Sequence, residues 1–267
     1  MSSTLLSYPL HAEPGITPGM NAGSRFTSGW RGLGRAPMLF LFDIDGTLLR
    51  RMPPAHRQAI CDAAEVVYGV RLSADALGQT AGMTDTAIAR RVLRAAGVPD
   101  ADAEAGLPAF FASAAVAYER HVPDDLRPYH TPHAVEALTW LRERGAALGL
   151  VTGNVERIAW TKLRAAGLDD YFSCGAFGDE AEAREALPPL ALGRARAAFG
   201  RDFSPVRVYV VGDTPADVAC GVASGMRTVG VATGPVHSLE ELRACGADYA
   251  FADLRGLRAL EDGWRGA

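Results

Sequence analysis

Lysine is nearly absent from this chain: Lys162 is the single lysine among 27 basic residues. Cysteine is also scarce, with four residues and no Cys-x-x-Cys pair, so the sequence gives little support to a zinc site and favours reduced thiols. No apolar run reaches the roughly 20 residues that a membrane-spanning helix needs. The net charge of −4 offers no positive surface for nucleic acid or an anionic membrane. We therefore expect a soluble, cytoplasmic globular protein with neither kind of partner.

The composition of the chain divides it into three parts. Residues 1–37 are rich in glycine, proline, serine and threonine and predict a flexible N-terminal tail. Helical patterning without an obvious strand then occupies residues 55–128. The helices predicted there cover residues 55 to 68, 85 to 96 and 108 to 120.

Residues 38–54 and 129–267 alternate apolar strands with helices. This alternation predicts an α/β fold with a doubly wound parallel sheet. Thr131 followed by proline predicts a helix start, and Asn154 is placed to cap a helix that ends near Ala166. The strands after the first are predicted near residues 146–152, 206–212, 228–233 and 248–251.

Oxygen-bearing residues follow three of these apolar strands. Asp43 and Asp45 follow the first, Thr152 the second, and Asp213 with Asp217 the strand near residue 210. Ligand sites in open α/β sheets lie at such carboxyl ends, so these side chains are candidates for one site. A lone Asp-x-Asp is also an ordinary polar end of a strand, and only the combination favours chemistry.

The sequence Asp-Ile-Asp-Gly-Thr at 43–47, Thr152, and Gly-Asp-Thr-Pro-Ala-Asp at 212–217 together resemble the haloacid dehalogenase superfamily of phosphohydrolases. The resemblance covers about residues 38–235. It implies a Rossmann-like core with an inserted α-helical cap over residues 55–128, as in the capped subclass that includes phosphoglycolate phosphatases.

The resemblance also implies roles for particular residues. Asp43 is expected to be the nucleophile that forms an aspartyl-phosphate, and Asp45 the general acid and then base. The hydroxyl of Thr152 and the amides of Gly153 and Asn154 are expected to bind phosphate. Asn154 fits the plain role of helix cap equally well.

Several carboxylates facing a phosphate require a hard divalent cation, and Mg²⁺ is the expected cofactor. The resemblance implies ligation by the carboxylates of Asp43 and Asp213 and by the main-chain carbonyl of Asp45. Asp217 is expected in the second shell, where it either holds a metal-bound water or simply complements the start of a helix.

The superfamily's third motif, a lysine often followed by proline, is missing in that form. Lys162 lies two turns into a predicted helix, which indicates a place on a helix face away from the site. Arg184 is the preferred substitute for catalysis and phosphate binding, with Arg194 as the alternative. An exposed charge in an acidic run is the other interpretation of Arg184.

Asp45 favours phosphate esters as substrates, because the dehalogenases and phosphonate hydrolases of the superfamily lack this second aspartate. The predicted function is a Mg²⁺-dependent phosphomonoesterase acting on a small phosphorylated metabolite. A sugar-phosphate mutase and a catalytically weak phosphate- or metal-binding regulatory protein are the alternatives. In the cap, the Gly82–Asp85 segment is either a loop over the pocket or an ordinary helix start.

Overall fold

A sheet of parallel strands forms the core of the protein. The computed structural model describes residues 37–50 and 52–261, so the predicted tail at 1–37 lies outside the described residues except for Pro37. The strands are β1 (Leu39–Phe42), β2 (Ala147–Val151), β3 (Gly175–Ala176), β4 (Val208–Gly212), β5 (Arg227–Val231) and β6 (Tyr249–Phe251). They form one six-stranded sheet in the order β3-β2-β1-β4-β5-β6. The predicted doubly wound, Rossmann-like sheet is confirmed.

The central strand β1 is buried along its whole length between β2 and β4. Phe42 pairs with Leu150 on one side and with Val211 on the other. Since these strands are parallel, the polar residues that follow them all lie at one edge of the sheet. The chain reverses its winding direction between β3 and β4, and a ligand crevice is expected where such a reversal occurs.

Helices occupy most of the chain between the strands. Three of them lie in the predicted insertion at residues 55–128: α1 (Ala55–Tyr68), α2 (Asp85–Ala95) and α3 (Asp100–His121). The others are α4 (Ala134–Glu143), α5 (Glu156–Ala166), α6 (Leu187–Phe199), α7 (Pro215–Ala223) and α8 (Leu239–Ala244). In the described part of the chain, none of the helices combines the length and apolar character needed to cross a membrane.

The helices α1, α2 and α3 have an apolar core of their own, which includes Ile60, Leu93 and Phe110. We call residues 55–128 the cap. Among its described residues there is no strand, in agreement with the predicted helical insertion. Val155 and Ile158, at the start of α5, join the same cluster and so connect the cap to the sheet domain.

Two predicted helix starts are wrong. The helix α3 begins at Asp100 rather than Pro108, because apolar contacts by Leu107 and Phe110 on both sides of the proline outweigh the lost backbone hydrogen bond. The helix α4 begins after His133, whose φ of 65° is left-handed, and not after Thr131. The Thr131 hydroxyl instead donates a hydrogen bond to the carbonyl of Thr47, 2.6 Å away.

Candidate active site

A cavity of about 380 Å³ lies at the carboxyl edge of the sheet, under the cap. Its wall includes six of the eight predicted site residues. The other two, Thr152 and Asp217, are buried and contact Asn154 and Arg184. The lining residues include Asp43, Asp45, Gly153, Asn154, Lys162, Arg184 and Asp213.

Asp43 is buried directly after β1, and its amide donates to the carbonyl of Val211 at 2.9 Å. The chain then turns tightly, with Gly46 at a φ of 91°. A Cβ atom at Gly46 would lie 2.2 Å from a carboxylate oxygen of Asp213, so a side chain there would collide with the acidic residue of the neighbouring strand. The glycine therefore lets the first motif approach Asp213 closely.

Arg184 reaches the nucleophile candidate. Its Nη2 atom lies 2.8 Å from Oδ1 of Asp43 and 2.5 Å from Oδ1 of Asp217, and all three side chains are buried. Although burial opposes the charged form, the two carboxylates raise the pKa of Arg184 above its ordinary value. The alternative candidate Arg194 instead pairs with Glu180 at the surface. Of the two arginines, Arg184 is the one beside Asp43, and the interpretation of it as an exposed charge is wrong.

Carboxylate oxygens of Asp43, Asp213 and Asp217 lie within 4.8 Å of one another. Burial, together with the neighbouring carboxylates, raises the pKa of Asp43 to about 7 even though Arg184 opposes the shift. Burial and the charges of Asp43 and Asp217 raise the pKa of Asp213 to about 8. Both carboxyl groups resist ionisation, so the site favours an added positive charge. All the ligand atoms of the cluster are oxygens, which fits a hard divalent cation such as Mg²⁺.

Asp217 already has donors for both of its oxygens. Oδ1 accepts from Arg184, and Oδ2 accepts from the amide and the hydroxyl of Thr214 at 3.1 and 2.7 Å. The contact with the Thr214 amide is half of a capping box, whose other half is the Asp217 amide donating to the Thr214 hydroxyl at the start of α7. Such contacts fit the supporting place that the sequence predicts for Asp217 better than direct ligation.

Lys162 contacts Asp45, and its predicted place on a helix face away from the site is wrong. The lysine side chain is fully buried, and Nζ lies 2.8 and 2.6 Å from the two carboxylate oxygens of Asp45. Helical side chains tilt toward the N-terminus of their helix, so a long side chain two turns into α5 can return to its start. This lysine and Asn154 hold the pKa of Asp45 below its ordinary value, although burial acts in the opposite direction.

Asn154 does not cap the following helix, because α5 begins at Glu156 with Val155 as its N-cap residue. Its amide nitrogen donates to Asp45 at 2.7 Å and to the hydroxyl of Thr152 at 2.6 Å. Asn154 therefore links the ends of β1 and β2 within the site. The capping interpretation of this residue is wrong, and its side chain contacts Asp45, Thr152 and Lys162 instead.

The cap segment Gly82–Asp85 passes directly over Gly153. The amide of Asp85 donates to the carbonyl of Gly153 at 2.7 Å, and a Cβ atom at Gly153 would lie 2.1 Å from the carbonyl of Met83. Thr84 at the same time caps α2 by accepting from the amide of Ala87. Both interpretations of the segment are met, since the loop over the pocket is also the helix start.

Sequence reasoning did not single out His56, which lies in the wall of the cavity. Its Nε2 lies 3.0 Å from a carboxylate oxygen of Asp85, and its Nδ1 lies 3.3 Å from Nζ of Lys162. The histidine follows Asp45 by 11 positions in the sequence. No spacing rule marks it, because the cap helix α1 brings it to the site.

The fold and the site together define an α/β enzyme with a nucleophile candidate and a second carboxylate at the end of one strand. Residues 37–225 match the family of haloacid dehalogenase-like hydrolases. The chain belongs to this family, and the resemblance stated from the motifs is confirmed, as is the prediction that the chain is an enzyme, a phosphatase.

Named relatives and solved structures agree with this membership. A phosphoglycolate phosphatase from Pseudomonas fluorescens is 28% identical over 236 residues, which cover 86% of this chain and 80% of that protein. One from Neisseria meningitidis is 30% identical over 198 residues, or 72% and 79% of the two chains. The structure of a β-phosphoglucomutase from Clostridium difficile aligns over 86% of this chain and 97% of its own, with a TM-score of 0.63 and 15% identity. At that identity the likeness concerns the fold alone.

Proposed function

We propose that this hydrolase is a Mg²⁺-dependent phosphomonoesterase that acts on a small phosphorylated metabolite through an aspartyl-phosphate on Asp43. The observation that carries the proposal is the pairing of each catalytic carboxylate with its own buried cation. Asp43 contacts Arg184, and Asp45 contacts Lys162. A phosphate dianion can enter a site with these carboxylates only when the positive charge balances them.

In the first step a carboxylate oxygen of Asp43 attacks phosphorus, and the bond between phosphorus and the alcohol oxygen breaks. Asp45, in its protonated form, supplies the proton that the departing alkoxide takes up. The lowered pKa of Asp45 makes this form the minor one but also the stronger acid. Arg184 binds Oδ1 of Asp43 and so fixes the orientation of the carboxylate before the attack. The product alcohol then leaves, and the phosphoryl group remains on Asp43 as an acyl phosphate.

In the second step a water molecule attacks phosphorus, and Asp45, now ionised, takes its proton. The bond between phosphorus and the Asp43 oxygen breaks, which releases inorganic phosphate and restores the carboxylate. In this proposal the main-chain amide of Gly153 and the guanidinium of Arg184, both in the cavity wall, bind the phosphoryl oxygens. Mg²⁺, held by Asp43, Asp213 and the carbonyl of Asp45, would neutralise charge on the phosphoryl group.

The relatives and the cavity both support a small phosphorylated acid as the substrate. Relatives named phosphoglycolate phosphatase cover most of the chain, which makes small phosphorylated acids the first compounds to test. Arg50, exposed at the mouth of the cavity, is available to an anionic group of such a substrate. The alternative of a mutase rests on likeness in fold. The alternative of a weak regulatory protein is motivated by the missing third-motif lysine, and the side chains of Arg184 and Lys162 supply positive charge in the site.

The test is phosphate release by the purified protein on a panel of small phosphomonoesters, with Mg²⁺ and with EDTA. The panel includes phosphoglycolate, and sugar phosphates for which both phosphate and the isomer are measured. Metal-dependent phosphate release supports the proposal. Isomer formation without phosphate release would identify a mutase, and no turnover of any compound would favour a binding protein.

A further inference from the structure

Lys162 is fully buried, and its three ammonium protons face four acceptor atoms on three residues. In addition to Asp45, Nζ contacts Oδ1 of Asn154 at 2.6 Å and Nδ1 of His56 at 3.3 Å. The ammonium also lies 5.7 Å from the ring centre of Tyr118 in α3. A lysine whose three donors are all used in a buried place has one orientation, unlike an exposed lysine on a flexible stem.

The partners of Lys162 form a chain that runs from the cap to the catalytic carboxylate. A proton on Nε2 of His56 can be donated to Asp85, 3.0 Å away, which leaves Nδ1 as the acceptor for Lys162. Asp85 is itself fixed, because its Oδ2 also accepts from the amide of Val155 at 2.8 Å. Donors and acceptors thus alternate from Asp85 through His56 and Lys162 to Asp45.

The effect of this chain is on the orientation of Asp45. Lys162 donates to both of its oxygens and Asn154 donates to one, so the plane of the carboxylate is fixed although the side chain is 39% exposed to the cavity. A group that transfers a proton to a departing oxygen must lie within hydrogen-bond reach of that oxygen. Small misplacements of such a group cost on the order of 100-fold in rate.

We propose that Lys162 is the positioning residue of Asp45 and that His56 and Asp85 of the cap fix Lys162 in place. The inference rests on the proposed function and deepens it. Lys162 itself transfers no proton in this account and touches no reacting atom. It acts through Asp45, so its loss should lower the rate of the step in which Asp45 donates a proton.

The test compares an alkyl phosphate with p-nitrophenyl phosphate as substrates of Lys162→Met. The value of kcat/KM includes only the steps up to departure of the alcohol, and an alkoxide needs a proton to depart whereas p-nitrophenolate does not. We expect kcat/KM to fall about 100-fold for the alkyl phosphate and less than about 10-fold for p-nitrophenyl phosphate. An equal fall for both substrates would overturn the proposal, since a general structural defect acts on both.

A second measurement repeats the comparison in an Asp45→Asn background. If Lys162 acts through Asp45, adding Lys162→Met to that variant leaves the ratio between the two substrates unchanged. Additive effects on the ratio would refute the mechanism. The double variant also removes both charges of a buried pair, which proteins tolerate better than the loss of one.

Two more variants distinguish the proposed role of Lys162 from a general loss of folding. Arg157→Met, on the same helix, removes an exposed ion pair with Glu119 and should leave the substrate ratio as in the wild type. His56→Leu removes one partner of Lys162 and should shift the ratio in the same direction as Lys162→Met by a smaller factor. An unchanged ratio would show that His56 does not help to fix Lys162 in place. Absence of phosphate release by the wild type would overturn the proposed function and this inference together.

Discussion

One nitrogen atom of Arg184, Nη2, donates to the carboxylates of both Asp43 and Asp217. The two acidic residues come from different strand ends, so a single buried guanidinium joins β1 to the start of α7. The other terminal nitrogen of Arg184, Nη1, would lie 3.1 Å from a Cβ atom at Gly153, which places the same group beside the predicted phosphate site. Arg184 is therefore expected to serve both the nucleophile and the phosphoryl group.

Replacing Arg184 by methionine should reduce kcat/KM by about 100- to 1000-fold, as removal of one preorganised donor to a developing charge does. Arg184 opposes the rise in the pKa of Asp43, so its loss raises that pKa further and the rate maximum should move to higher pH. Steady-state kinetics over a pH series measures both effects. Arg194→Met, at an exposed pair with Glu180, is the matched control, and an equal loss in that variant would contradict the assignment.

Stability of the metal-free protein should fall as the pH rises. Asp43 and Asp213 have raised pKa values of about 7 and 8 in the folded protein, against an ordinary 3.8. The folded state therefore keeps protons that the unfolded state has lost, and the unfolding free energy decreases between pH 3.8 and about pH 8. Added Mg²⁺ should raise the melting temperature more above pH 8 than at about pH 5. Thermal unfolding with EDTA or Mg²⁺ tests this, and a metal effect independent of pH would count against the acidic site.

Replacing Gly234 by alanine should abolish metal-dependent turnover by displacing Asp213. A Cβ atom at Gly234 would lie 1.7 Å from Oδ2 of Asp213, so the carboxylate must move. Gly193, inside α6, has open space for a Cβ atom, and Gly193→Ala should keep full activity and gain up to about 1 kcal/mol of stability. The Mg²⁺ dependence of the rate is the readout. Normal metal activation of Gly234→Ala would show that Asp213 is not needed where the structure places it.

The sheet and the strand-end residues were predictable because apolar runs and their polar ends are local features of the sequence. The first motif, Thr152 and Asp213 all follow buried strands, and parallel pairing alone brings them to one edge. Arg184 could be chosen over Arg194 from its place relative to α6. The strand β3 is only two residues long and carries no periodicity, which is why the sequence did not indicate it.

The contacts of Lys162 and His56 could not be predicted from spacing. Lys162 returns to the site through the length and tilt of its side chain, and His56 arrives through the packing of the cap on the sheet domain. Asn154 shows the same limit, because a residue suited to a helix cap is equally suited to bind a carboxylate and a lysine. Tertiary contacts decide between such roles, and the local sequence favours both.

Detection of a phosphoryl group on Asp43 would test the proposed aspartyl-phosphate mechanism directly. Asp45→Asn, mixed with p-nitrophenyl phosphate and Mg²⁺, should release one burst of nitrophenolate and then accumulate the phosphoenzyme, because the base for its hydrolysis is missing. Acid quenching followed by borohydride reduction and peptide mass spectrometry should locate homoserine at position 43, and the variant that also carries Asp43→Asn should give neither burst nor homoserine. Turnover of phosphomonoesters by the wild type, together with no covalent phosphate at position 43 in Asp45→Asn, would show that Asp43 is not the nucleophile.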